Sequence, residues 1–221
     1  MKQWIIPEAN ADFVCQMERV LDIYELPYDA TNPVVCLDES PQQLIGASRQ
    51  GFVDSHGIHY EDYEYQRKGV ADIYVICEPL AGFREFFVTQ NHCAKQWAEV
   101  VTYLVQELYP EATTITLIQD NLAAHKVAAL YEIHPPEKAR SIIKKLNIVF
   151  TPKHASWLNI AEIELSMFKR VGLKTRMESK EALIQCVKDY EDIKNKQVKK
   201  INWQFTTKDA RVKLKYLYPK I

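Results

Sequence analysis

Ala71-Asp72-Ile73-Tyr74-Val75-Ile76-Cys77-Glu78, then Pro79-Leu80-Ala81-Gly82, then Arg84-Glu85-Phe86-Phe87-Val88-Thr89 is the stretch that decides the fold. Two runs rich in β-branched and aromatic residues flank a link of turn character, which predicts a hairpin. Upstream, Val34-Val35-Cys36-Leu37 has the composition of a buried strand and ends at Asp38-Glu39. Downstream, Ala94, Trp97, Ala98, Val101, Leu104, Val105 and Leu108 recur at helical spacing, and Pro110 closes that helix. Thr114 to Gln119 predicts a strand that runs into Asp120-Asn121. Ala123 to Leu146 predicts two helices broken at Pro135-Pro136, and Asn147 to Phe150 a last strand. Helices follow from near Asn159 past Phe168, and from Ser179, a plausible cap, to Ile193.

At the N-terminal end, Asn10 caps a helix on which Val14, Met17, Val20, Leu21 and Tyr24 share a face. Ser40 to Tyr60 is polar and contains Gly and His, so it reads as a long loop. Trp203 to Pro219 is short, basic and aromatic. Hairpin-linked strands come first, and strand and helix then alternate. That order predicts an α/β mixed sheet with helices on both faces, in a ribonuclease-H-like arrangement. The expected division is a helical lead-in over 1–30, the main domain over 31–196, and a basic tail over 197–221 packed on the domain or extending it.

The 221 residues are 47% hydrophobic, enough chain to bury a core without staples. No apolar run approaches a membrane span, and Met1 to Pro7 lacks the apolar stretch of a secretory signal. Five cysteines, Cys15, Cys36, Cys77, Cys93 and Cys186, lack metal-finger spacing and read as reduced thiols. The net charge is −1 but unevenly spread: Ser166 to Ile221 holds 15 Lys and Arg against 6 Asp and Glu. Such a basic stretch suits a polyanion such as DNA, or simply a solvated helix surface.

Three carboxylates fall at the ends or starts of predicted elements: Asp38, Asp120 and Glu162. Loops converge at strand ends in an open sheet, so distant acids can meet there. Oxygen ligands of this kind hold hard divalent cations, and two such ions about 3.5–4 Å apart clamp both oxygens of a phosphoryl displacement. Glu39 and Glu164 compete with these acids. Successive strand residues point to opposite faces, so only one of Asp38 and Glu39 faces a site. Glu162 and Glu164 lie about 200° apart around a helix, so again one is excluded.

Cys36-Leu37-Asp38-Glu39-Ser40, Leu117-Ile118-Gln119-Asp120-Asn121 with His125, and Thr151-Pro152-Lys153-His154-Ala155-Ser156-Trp157-Leu158-Asn159-Ile160-Ala161-Glu162-Ile163-Glu164-Leu165-Ser166 resemble the three signature blocks of bacterial insertion-sequence transposases of the mariner-related DDE superfamily. Tyr63-Glu64-Tyr65, Glu78 to Gly82 and Phe205 to Arg211 add to the resemblance, which covers nearly the whole chain in order. It implies a DDE catalytic domain that cuts and rejoins DNA with Asp38, Asp120 and Glu162 on two Mg2+ (or Mn2+) ions. It further implies binding to terminal inverted repeats, insertion at a TA target, a homodimer, and a prokaryotic, cytoplasmic, nucleoid-associated setting. About 41 residues separate Asp120 from Glu162, as suits the bacterial branch. The family's N-terminal helix-turn-helix has no counterpart here, which leaves room for a separate polypeptide carrying it. Two other readings stand beside this one: a hydrolysis-only ribonuclease-H-like nuclease, and a remnant that binds nucleic acid or a subunit without cutting.

Around the acids, Asn121 either orients a ligand carboxylate or phosphate or is a turn residue. His125 and His154 are candidates for phosphate contact or proton transfer, with a structural role as the alternative. Asn159 is read as the cap that aims Glu162. Lys153, Lys169 and Arg170 flank the third acid, and Lys169 lies about two turns beyond Glu162 on the same face, in reach of phosphate. Trp203 and Phe205 either stack on bases or pack in the core, and core packing is the preferred reading. The Ser40–Tyr60 segment, by resemblance, clamps DNA or a second subunit, or else is a surface loop.

Overall fold

A computed structural model describes residues 10–60 and 62–220. Helix α1 (Ala11–Tyr24) leads into strand β1 (Val34–Ala47), two short strands β2 (Phe52–Val53) and β3 (His59–Tyr60), and the hairpin of β4 (Tyr65–Glu78) and β5 (Phe83–Thr89). Helix α2 (Ala94–Tyr103), β6 (Ile115–Gln119), α3 (Leu130–Ile133), α4 (Pro136–Lys145) and β7 (Leu146–Phe150) follow. The chain ends with α5 (Ile160–Val171), α6 (Lys180–Gln197) and α7 (Thr207–Lys213). The main sheet has the order β5-β4-β1-β6-β7. β1, β4 and β5 are antiparallel, whereas β6 and β7 run parallel to β1, so the predicted ribonuclease-H-like mixed sheet is what forms.

Alternation along the strands builds two cores. Cys36, Val75, Ile118 and Val149 face α1, α5 and α6 through Met17, Leu21, Leu165, Phe168 and Leu183. Leu37, Tyr74, Ile76 and Leu117 face α2, α3 and α4 through Trp97, Val101, Leu130 and Ile142. The hairpin turns at Gly82, whose φ of +71° suits a residue without Cβ. A Cβ there would also lie 2.9 Å from the backbone of Val198, just past α6. No helix among the described residues is long and apolar enough to cross a membrane.

Several expectations are corrected. The first strand does not end at Asp38, and Ser40 to Tyr60 is not one long loop. β1 continues to Ala47 beside β4, with a bulge at Leu44/Ile45, and β2 and β3 form a small hairpin beyond it. Pro41, Gly46 and a run of glutamines disguise this ribbon. It projects past the other strands and buries little beyond Leu44, so ladder hydrogen bonds, with Ile45 N–H donating to the Met177 carbonyl at 2.7 Å, hold most of it. The helix after β5 departs from its α-helical pattern at its end: Leu104–Leu108 forms a wider π-turn, closed by Tyr109 N–H donating to the Leu104 carbonyl. The C-terminal segment holds an unforeseen helix, α7. Its start is a reciprocal capping box between Thr206 and Asp209. α7 docks on α1, where Thr207 donates to Asp22 at 2.7 Å and Arg211 makes a forked pair with Glu18. Trp203 packs against the core beside Tyr24, and Phe205 packs edge-on against Trp157. The five cysteines are free; Cys36 and Cys77 are buried, whereas Cys15 and Cys93 are exposed.

Candidate active site

The parallel ladder between β1 and β6 ends at Cys36 opposite Ile118. Asp38 and Asp120 each stand two residues further on. They therefore share one height and one sheet face, the face that Cys36 and Ile118 already give to α5. Glu162 arrives on that face from the first turn of α5. Asn159 fixes its approach: its side-chain carbonyl caps the helix by accepting from Ala161 N–H at 3.1 Å. Its amide donates to the Leu37 carbonyl at 2.9 Å, one residue before Asp38. Tyr24 adds a second tie, donating to the Leu158 carbonyl at 2.7 Å from α1.

The result is one pocket of about 300 Å3 lined by Asp38, Glu39, Ser40, Asp120, Ser156, Asn159, Glu162 and Lys169, among others. The three predicted acids are thus on one side of the molecule. A larger cavity, about 410 Å3, lies between β5, α2 and α6, but its walls are mostly apolar and hold none of these acids. Glu164 takes the other course around α5. It is buried against Arg84, with Nη2 at 3.2 Å from Oε1. The helical geometry that allows only one of the two glutamates into the pocket is realised, with Glu162 inside.

The electrostatics are those of crowded acids. Burial, then the charge of Glu39, and further on those of Asp120 and Glu162 push Asp38 up to about 7. Asp120 is lowered: burial alone would raise it, but the hydrogen bond and charge of His125 outweigh that. His125 is raised to about 10, because Asp120 and Glu39 together overcome the burial that would lower it. Its Nδ1 stands 2.8 Å from Asp120 Oδ1 and its Nε2 3.0 Å from Glu39 Oε2. With its side chain fully buried and both nitrogens taken, His125 has nothing left to offer a phosphate.

Of the other sequence candidates, Lys169 lines the pocket and hydrogen-bonds Ser40 Oγ. Asn121, Lys153, His154 and Arg170 are exposed and do not line it. His154 sits at a φ of 65°, and Arg170 turns to Met167 Sδ at 3.0 Å. Sequence reasoning discounted Glu39, which lines the pocket while holding His125. It also passed over Ser40 and Ser166. Ser40 is two residues along the strand from Asp38, and Ser166 is four along the helix from Glu162, so their periodicity carried a usable signal.

Clustered carboxylate oxygens suit a hard divalent cation. Glu162 Oε2 is buried with no hydrogen-bond partner, as an oxygen reserved for a cation would be. Among the described residues no three His, Cys, Asp or Glu side chains already surround one metal position. The pocket gathers donors without closing them, which fits ions that complete their shells with water and phosphate.

A ribonuclease-H-like sheet with one acid inside β1 where it parts from β6, one just past β6 and one on α5 is the arrangement the family comparison meets. Residues 33–184 match the family described as DDE superfamily endonuclease, and the chain belongs to that family. Solved structures similar to it include the Mos1 mariner paired-end complex with Mn, at 15% identity and a TM-score of 0.60 over 98% of this chain and 65% of that one. The corresponding complex with Mg matches at 15% identity and a TM-score of 0.60, over 100% of this chain and 67% of that one. The Mos1 strand transfer complex matches at 11% and 0.56, over 98% and 64%. At such identities the likeness is one of fold, and this chain spans about two thirds of the Mos1 chains. Among curated proteins none matches in sequence.

Proposed function

We propose that this chain is the catalytic domain of a DDE transposase that cuts DNA strands at transposon ends and joins them to a target. The observation that carries this is the single pocket shared by Asp38, Asp120 and Glu162, with a buried Glu162 oxygen left unpartnered. These three side chains would hold Mg2+ or Mn2+. When bound, such ions activate a water or a DNA 3′ hydroxyl and stabilise the departing oxygen. The chain's own residues orient and balance that chemistry. Asn159 fixes where α5 begins and therefore where Glu162 stands. Lys169 brings the pocket's cationic side chain toward an incoming phosphate. The basic C-terminal quarter supplies further attraction to the polyanion.

By the same reading the partners are terminal inverted repeats, a TA target and a second copy of the chain, in a prokaryotic nucleoid. The projecting ribbon suits the second copy. Phe52 and Tyr60 stack at its tip with ring centroids 4.9 Å apart while both stay exposed, as does Tyr63 at 81%.

The test is nicking of duplex DNA bearing the element's ends, with Mn2+ present. Asp120→Asn should lose at least about a hundredfold in rate, on the order of one removed stabilising group. Unchanged nicking by Asp120→Asn would refute the site. Cleavage without joining to a target would leave a nuclease, and Mn2+ binding without cleavage a binding protein.

A further inference from the structure

Cys36 opposite Ile118 is the last residue pair of the β1/β6 ladder, yet the two aspartates lie two residues beyond it. Something else must set their separation. Glu39 is the residue after Asp38 and points to the opposite face of the sheet, where His125 is buried. His125 belongs to the loop that begins at Asp120. Its Nδ1 stands 2.8 Å from Asp120 Oδ1 and 3.3 Å from the Asp120 carbonyl, and its Nε2 stands 3.0 Å from Glu39 Oε2. The bridge therefore joins the strand carrying Asp38 to the loop carrying Asp120, where the ladder has ended.

The ring has little room to move. It stacks on Trp97, with centroids 6.0 Å apart and planes 26° apart. Trp97 Nε1 donates at 2.9 Å to Gln119 Oε1, on the residue before Asp120. The His125 backbone N–H closes the loop onto the Leu122 carbonyl at 3.0 Å. Asp120 Oδ1 accepts a second bond, from Leu122 N–H at 3.2 Å. One oxygen of Asp120 is thus fully committed, and among the described residues Oδ2 accepts no hydrogen bond.

We propose that Glu39 and His125 are positioning residues: a carboxylate–imidazole–carboxylate bridge that fixes the gap between Asp38 and Asp120 and presents Asp120 Oδ2 to a divalent cation. This rests on the metal-dependent reading above. Neither residue is assigned contact with substrate. Outer partners of this kind typically set metal affinity by about 10–100-fold.

The test uses the full chain and MnCl2 alone, by titration calorimetry without DNA, on wild type, Glu39→Gln, Glu39→Ala, His125→Ala and the double variant Glu39→Ala/His125→Ala. Glu39→Gln keeps an acceptor for His125 Nε2 and should lose only a few-fold, whereas Glu39→Ala and His125→Ala should each lose about 10-fold or more. The double variant should lose no more than either single change, because one bridge is broken in all three. Independent, multiplying losses would make Glu39 a direct ligand and overturn the bridge, as would wild-type affinity in either alanine variant. If His125→Ala does not fold, the Glu39→Gln and Glu39→Ala pair decides, since equal losses in the two would exclude a bridging acceptor. If wild type binds no Mn2+ at all, the metal-dependent reading falls and the bridge with it. Wild-type binding with unaltered variants removes the bridge alone.

Discussion

Glu162 and Glu164 offer a controlled experiment, because they sit two residues apart on one helix and differ in what surrounds them. Glu164 is 7% exposed, and its partner Arg84 is 2% exposed. The Arg84 guanidinium also donates to the carbonyls of Gly82, Lys194 and Lys199, so it is held in place and cannot swing out to water. Glu164→Gln would leave that cation buried without a counter-charge, a loss on the order of 3–5 kcal/mol. For a chain of this length the loss corresponds to a fall of roughly 6–20 °C in unfolding midpoint. Glu162→Gln removes a charge that helps push up the Asp38 carboxyl, so it relieves repulsion. Its midpoint should move by no more than about 2 °C or rise, as expected when a like charge is taken from an acid cluster. Mn2+ binding should show the reverse pattern, lost in Glu162→Gln and kept in folded Glu164→Gln. Thermal unfolding followed by circular dichroism, paired with Mn2+ titration, reads both. A destabilised Glu162→Gln beside a stable Glu164→Gln that no longer binds Mn2+ would mean that the two glutamates have exchanged roles, and the derivation of the pocket from helical phase would be refuted.

Three further outcomes are expected. Asn159→Ala removes both the α5 cap and the donor to the buried Leu37 carbonyl, and should cost about 2–4 kcal/mol in urea unfolding while weakening Mn2+ binding. Tyr24→Phe deletes the hydroxyl that meets the Leu158 carbonyl and should cost about 1–3 kcal/mol by the same measurement. Glu18 is held below its ordinary value chiefly by its hydrogen bonds to Arg211, so its contribution is present above the ordinary carboxylate range and lost as pH falls through it. Glu18→Gln should therefore melt lower than wild type at pH 7, by no more than about 4 °C for so exposed a pair, and the difference should shrink as pH falls below the ordinary carboxylate range.

Much of the site was legible because two periodicities carry it. The helix period separates Glu162 from Glu164, and that selection is realised in the fold; the strand period of two singles out Asp38, but Glu39 still reaches the pocket wall while it holds His125. Asn159 as a cap could be read from its place before an apolar helical run. The bridge through His125 could not, since Glu39 and His125 are 86 residues apart and meet only because β1 and β6 become neighbours. The β1/β4 ribbon was hidden for a different reason. A projecting two-stranded ribbon buries little on either face, so its side chains show no alternation to read, and Pro41 and Gly46 give it the composition of a loop. The α7 helix was readable from Thr206 and Asp209 at capping-box spacing, but its seven residues are too few for a convincing apolar stripe.

The pocket lies where the backbone pairing between β1 and β6 stops. β1 and β6 are paired for only three residues before they part, while β1 continues along β4 and β6 along β7. A cleft opened in this way is the natural place for loops and side chains to converge. It also removes the hydrogen bonds that would otherwise hold the facing acids apart at a fixed distance, and repulsion among them would widen it further. The fold restrains the cleft from three sides. Asn159 ties α5 to β1, His125 ties β1 to the loop after β6, and Thr151 N–H donates to the Gln119 carbonyl at 2.9 Å, carrying the β6/β7 pairing to the last residue before Asp120. Each tie ends within one residue of an acid and none uses up the pocket-facing oxygens of Glu162. Rigid support around four carboxylates that have only His125 and Lys169 as nearby cations makes sense if further positive charge arrives with a ligand, and that asymmetry between a restrained scaffold and an under-neutralised centre is the physical mark of a functional site rather than of an ordinary polar crevice.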